Sequence, residues 1–264
     1  MSYAAYWTMA GHWSLAGLAL AVTAVLVYVL AVRPTRRQMA SASVAAALLY
    51  IALGSPLSGM RAFGLHAAVM VSQLLLVLVV PLFLLPLLPA RLVPNVSTRR
   101  ASVAAWCAGA LAMWGGHLFG AARLSAELGE PICGVSGSTF GIGAGLPPLM
   151  LSGLLLAGGI LFALPVFHPD PEKRMAPPRA VVYLFLSCVS CTLLGLWVTF
   201  TAAAASSAAI LPLHAPFSAP LLPSRRTDQE LAGMLMWVPG CLLYVTLSAR
   251  LLLGWMEEKS PAHA

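Results

Sequence analysis

Thr227-Asp228-Gln229-Glu230-Leu231-Ala232-Gly233-Met234-Leu235-Met236-Trp237-Val238-Pro239-Gly240 opens the last long apolar run of the chain. Thr227 and Glu230, three residues apart just ahead of that run, have the spacing of a capping box, in which each side chain satisfies an orphan N–H at a helix start. Asp228 adds favourable negative charge at the same N-terminus. Met236 and Trp237 sit about two turns further on, near where aromatic side chains mark a membrane surface. Pro239-Gly240 predicts a kink. The run stays apolar to residue 253, and a helix needs roughly 20 such residues to cross a bilayer core. The stretch therefore reads as a capped helix entering a membrane.

The rest of the chain repeats this pattern. The 264 residues are 60% hydrophobic and only 9% charged, against about 25% charged in an ordinary soluble domain. Continuous apolar runs cover residues 13–32, 40–56, 62–88, 101–119, 146–167, 180–203 and 230–253. They do not alternate as barrel strands do. The sequence predicts an all-α, polytopic membrane bundle of seven transmembrane helices, with residues 1–264 forming one integral membrane domain. Pro81 and Pro86 are expected to bend or end the third span.

Seven spans place the termini on opposite sides. With the N-terminus outside, the inner ends carry Arg33, Arg36, Arg37, Arg91, Arg99, Arg100, Lys173, Arg174, Arg179, Arg250 and Lys259. The outer ends carry Arg61, Arg123, Arg225 and Arg226. Positive charge concentrates on the cytoplasmic side, so the expected topology is N-terminus outside, C-terminus cytoplasmic. The net charge of +7 is thus a topology signal and does not call for nucleic acid. The first span lacks the basic flank of a signal peptide before it, and is expected to be retained. Two outer loops, 120–145 and 204–229, are long enough to carry function. The glycines of the first, Gly134 to Gly145, follow no strand and have no Lys, so a phosphate loop is a poor reading.

Four histidines (His12, His66, His117 and His214) map to the outer side. Met70 follows His66 by four residues and Met113 precedes His117 by four, so each pair shares a helix face. Two such faces at similar depth make a soft nitrogen–sulfur site suited to copper(I), with His66, Met70, Met113 and His117 as candidate metal ligands. The competing reading is packing. Cys188 and Cys191 form a C-x-x-C inside the sixth span, where small residues serve close helix packing, with Cys241 at comparable depth. Cys133 lies in an outer loop and is expected to be inert or exposed. Beyond Glu230 at the head of the last run, the apolar runs contain no acid, which weighs against an ion-coupled pump. No nucleophile–base or paired-carboxylate constellation can be assembled, so the chain is not expected to be an enzyme.

The segment Asp228–Gly240 resembles the signature of the multi-spanning CtaG-type cytochrome c oxidase assembly factors. Their final helix begins Asp-Gln, then Ala-Gly, then Met-Trp-Val-Pro-Gly. Asp228, Gln229, Gly233, Met236, Trp237, Pro239 and Gly240 carry the match and are, by that resemblance, family-signature and partner-contact residues. Trp114 with His117-Leu118, and Pro212-Leu213-His214, resemble other family segments more loosely. One departure stands out. The family's third span carries His-Met-x-x-His before a leucine run, whereas this chain has Val69 and Gln73 around Met70.

The resemblance implies a multi-pass protein of the bacterial plasma membrane that assists assembly of a haem–copper cytochrome c oxidase. Its expected partners are oxidase subunits and membrane lipid. Its expected cargo is copper(I), handled during copper-site maturation on the outer face. Two alternatives remain at this level. One is a stably bound accessory subunit without its own metal, which the missing histidine pair favours. The other is a haem-binding electron-transfer protein with His66 and His117 as axial ligands.

Overall fold

The computed structural model describes residues 13–57, 65–91, 93–96, 98–129, 131–135, 148–205 and 223–258. Seven helices follow one another along them: α1 (Leu15–Val32), α2 (Arg36–Gly54), α3 (His66–Leu87), α4 (Arg99–Leu128), α5 (Pro148–Phe167), α6 (Pro177–Thr201) and α7 (Arg225–Glu258). Their ends follow local chemistry. Ser14 caps α1 through Gly17 N at 3.0 Å. Thr35 and Gln38 form a reciprocal capping box on α2. Thr98 caps α4 through Ala101 N at 3.3 Å, and Gly129, at φ +72°, ends it. Only glycine takes such a left-handed closing position without cost.

Among the described residues there is no strand; Ile132 and Val135 form an isolated bridge. Five helices, α1, α3, α5, α6 and α7, are long and apolar enough to cross a membrane. Helices α2 and α4 are as long but carry more small and weakly polar residues, such as Ser41 and Ser43, or Gly115, Gly116 and His117. Such residues serve close helix contact in membranes. On α4, a Cβ at Gly109 would strike Phe162, and one at Gly116 would strike Leu155, both from α5.

Helix α3 lies between α2, α4, α5 and α7, while α6 and α7 form the most extensive pair. α1 packs on α2, joined by Ser14 N to Gly54 O at 2.9 Å, and buries none of its own residues. Within α3 a π turn spans Leu75–Val79, ending two residues before Pro81, and a 3₁₀ turn closes it over Leu85–Leu87. Pro81 has no N–H to give the turn before it, so the helix widens there. Gly159 of α5 sits against this widened turn, where a Cβ would meet Val77 and Pro81.

Two of the helix limits that differ from the sequence reading bear on the site. Helix α4 runs on to Leu128 rather than ending near 119, which shortens the outer loop that follows. Helix α7 begins at Arg225, and its cap is Ser224, whose Oγ accepts from Thr227 N at 3.1 Å. The expected Thr227–Glu230 box is therefore replaced. Glu230 pairs instead with Arg226 at 3.0 Å, one turn away. The apolar run understated α7 because its first turn is polar yet folded against the protein. Asp228 and Gln229 are fully buried there. The positions His12, Arg61, His214 and Lys259, the glycines from 136 to 145 and most of the 204–229 loop lie outside the described residues.

Candidate metal centre

His66 is the first residue of α3, and its own preceding residue, Leu65, offers no capping side chain. The cap comes from α7. Asp228 Oδ2 accepts from His66 N at 2.6 Å and Oδ1 accepts from Ala67 N at 3.3 Å. A carboxylate satisfying the orphan N–H groups of a helix start is favourable for both hydrogen bonding and dipole reasons. Asp228 thus serves a neighbouring helix rather than its own. It fixes where α3 begins, and so where the His66 ring lies.

His117 faces His66 from α4. The two rings meet edge to face with centroids 5.2 Å apart. A third donor comes from the loop after α4. Residues 132–135 close a two-residue turn, with Ile132 N to Val135 O at 3.0 Å and the return bond at 2.9 Å. Its central residues, Cys133 and Gly134, both have positive φ, 53° and 73°. That is the geometry of a primed hairpin turn, natural for glycine and uncomfortable for cysteine. The neighbours hold Cys133 in it. Gln229 Oε1 accepts from Cys133 N at 3.3 Å, and Trp197 Nε1 donates to Cys133 O at 3.3 Å. Gln229 in turn donates through Nε2 to Val198 O at 3.1 Å and Thr201 Oγ1 at 3.0 Å. Cys133 Sγ then lies 3.3 Å from His66 Nε2.

One donor atom each from His66, His117 and Cys133 lies within 4.8 Å of the others, and all three residues are buried. Among the described residues, His66 Nδ1 and both ring nitrogens of His117 have no hydrogen-bond partner. Buried polar atoms are normally paired, so this cluster is poised for something that accepts nitrogen lone pairs. Burial, and then the Asp228 carboxylate, push the Cys133 thiol above its ordinary range. Free of metal, it is a neutral thiol. A bound cation displaces the proton and takes the thiolate.

The residues singled out in the sequence fall around this centre. His66 and His117 meet in it. Met70 and Met113 are buried one turn deeper and line a small cavity with Gln73 and Met236. Gln73, at one of the departures from the family pattern, donates Nε2 to Gly116 O at 3.2 Å. Cys188 and Cys241 bring their sulfurs to 2.8 Å, while Cys191 donates to Met236 O at 3.2 Å. Cys133 is fully buried, which removes the exposed alternative of the sequence reading. Its signals in the sequence were the Cys-Gly dipeptide of a left-handed turn and the lone Gln229 at a helix start. Neither names the other.

Residues 148–258 match the family model described as cytochrome c oxidase caa3 assembly factor, Caa3_CtaG. The chain is consistent with a CtaG-type family member. The CtaG-type match spans α5 to α7 and includes Asp228, Gln229 and Met236, while His66, His117 and Cys133 precede it. A CtaG-type family implies a role in assembling a cytochrome c oxidase, hence contact with oxidase components, and suggests a non-catalytic role. Together with the long apolar helices it also suggests a membrane protein. No curated protein and no solved structure matches the chain.

Proposed function

We propose that this chain is a plasma-membrane assembly factor that carries Cu(I) for the copper site of a haem–copper cytochrome c oxidase. His66, His117 and Cys133 hold the ion on the outer face. The observation that carries this reading is the convergence of these three buried donors with their ring nitrogens unpartnered. Soft sulfur with imidazole suits Cu(I) and Zn(II). Charge favours Cu(I), because one thiolate and one monovalent ion sum to zero in a site where net charge is costly. Zinc also wants a fourth ligand in closed sites, and three converge here among the described residues. Two imidazoles whose centroids are 5.2 Å apart, with the Cys133 thiol 3.3 Å from one of them, are too close to hold a haem plane between them as this site stands.

Asp228 and Gln229 act as positioning residues. The first sets the start of α3 and the second sets the turn that presents Cys133. In this reading they explain why an Asp-Gln pair heads α7 in a copper-handling protein. The oxidase subunit that receives the ion approaches the same end of the bundle.

The test is a Cu(I) competition titration of the detergent-purified chain, with co-purifying oxidase subunits read in parallel. Cys133→Ser and His117→Ala are expected to weaken Cu(I) binding by more than about 100-fold, beyond the 10–100-fold typical of an outer-shell partner. Both are also expected to lower copper in the oxidase. Unchanged affinity in both variants sinks the metal role. Oxidase subunits that co-purify in fixed stoichiometry, with copper content indifferent to these substitutions, identify a permanent accessory subunit instead.

A further inference from the structure

Beneath the imidazoles lies a layer that the outer centre does not use. Met70 of α3, Met113 of α4 and Met236 of α7 line one small cavity, closed by Gln73, Leu74, Val77, Leu78 and Leu155. All three methionines are buried, at 0%, 8% and 2% exposure. Their placement follows from helical spacing. Met70 is one turn below His66, Met113 one turn below His117, and Met236 two turns below Gln229. Residues four or seven apart share a helix face. The three methionines therefore line a cavity on the inward side of the imidazole–thiol layer. The cavity wall includes Val77 and Leu78 of the π turn, and such turns recur at functional sites.

The geometry points to a second Cu(I) site, made by the three thioethers of Met70, Met113 and Met236, about one turn inward of the outer centre. It deepens the proposed function and rests on it for the choice of metal. Thioethers are soft and neutral, so they suit a soft monovalent ion such as Cu(I), and with no anionic ligand among them they leave a divalent ion such as Zn(II) with more uncompensated charge. Neutral ligands leave the bound ion's charge uncompensated in an apolar wall, so this site binds more weakly than the imidazole–thiolate centre. A weaker inner site next to a tighter outer one holds a second ion rather than storing the first. It extends copper handling inward, within the helix bundle.

The experiment uses the full chain in detergent, with Ag(I) as a redox-inert substitute for Cu(I) and Zn(II) as the divalent, less soft control. Bound metal is counted after dialysis. Met70→Leu/Met113→Leu/Met236→Leu is expected to take up one Ag(I) fewer than the parent chain, with Zn(II) uptake unchanged. His66→Ala/Cys133→Ser is expected to lose a different equivalent, so that combining the two sets loses two. In the outer-site variant, the methyl carbon resonances of Met70, Met113 and Met236 are expected to shift on adding Ag(I). A methionine triple variant that binds as much Ag(I) as the parent overturns the inner site. So do methyl resonances that stay put, or an equal loss from replacing the exposed Met150 and Met234 with Leu. If only the histidine–cysteine variant fails to lose Ag(I), the outer centre falls while the inner one stands.

Discussion

Cys133 depends on residues far from it in sequence. Its thiol is kept neutral by burial and by the Asp228 carboxylate, so each metal ion bound there releases a proton. The sign follows directly. The thiol pKa is raised, so across ordinary pH the proton is present in the free chain and absent in the complex. Affinity for Cu(I) therefore rises with pH, by about tenfold per unit while the rings stay neutral. A competition titration run from pH 6 upward checks this, and a flat profile excludes the thiolate as ligand. Gln229 gives a second test. Replacing it with Leu orphans the buried Cys133 N–H, a loss of about 1–3 kcal/mol, and frees the strained turn. Gln229→Leu is expected to bind Cu(I) roughly 10–100-fold more weakly. It is also expected to expose Cys133 to maleimide, read by peptide mass mapping. Parent-like protection in that variant argues against Gln229 as the clamp. This partnership could not be read from the sequence, because the two residues stand 96 positions apart. The His66–His117 pairing was legible only as two matching His/Met faces, whose adjacency depended on α3 meeting α4.

Helices were the legible scale, since each of the seven apolar runs of the sequence falls on a helix, and five of these helices are long and apolar enough to cross a membrane. Their ends were less so. Apolar runs stop where polar side chains begin, but α7 starts earlier, because Asp228 and Gln229 are buried as bonding partners of α3 and the Cys133 turn. The signature glycine also acts at the level of elements. Gly233 lies where α7 crosses α6, and a Cβ there would fall 2.7 Å from Gly195 O, beside Thr199. Gly195 faces it across the same crossing, with Gly233 O 3.0 Å from its own Cβ position. Two facing glycines let the backbones approach as small residues do in membrane packing. Gly233→Ala is expected to destabilise the α6–α7 pair by about 1–3 kcal/mol, the range for overpacking. Gly254, also in α7, has nothing within 4 Å of its Cβ position. Gly254→Ala is therefore expected to be neutral or stabilising by about 0.5–1 kcal/mol. Parallel thermal melts of the two variants in detergent compare them. Equal midpoints disprove close packing as the reason for glycine at 233.

At the scale of the whole molecule, the hydrogen bonds tie several chain ends to one end of the bundle. The start of α3, the end of α6, the start of α7 and the Cys133 turn all meet around the candidate centre. Large apolar side chains face outward along the helices. Leu15 and Leu30 on α1 and Phe200 on α6 are each at least 75% exposed, as expected where lipid is the solvent. Which end of such a bundle faces out is a matter of charge. The end bearing the centre carries Arg123, Arg225 and Arg226, whereas the opposite end collects Arg33, Arg36, Arg37, Arg99, Arg100, Lys173, Arg174, Arg179 and Arg250. Basic residues stay cytoplasmic, so we propose that the centre lies on the outer side, with α7 ending in the cytoplasm. That orientation requires α2 and α4 to span as well. Their helices have 19 and 30 residues, and at 1.5 Å per residue even the shorter approaches the thickness of a bilayer core. Alkaline phosphatase inserted between residues 206 and 222 is expected to be active. The same enzyme inserted after Lys173 is expected to be inactive, and a fluorescent protein fused after Glu258 to be bright. The reverse pattern would turn the bundle over and place the histidine–cysteine centre on the cytoplasmic face. Copper would then have to be received from inside, and delivery to an oxidase at the outer surface would no longer follow.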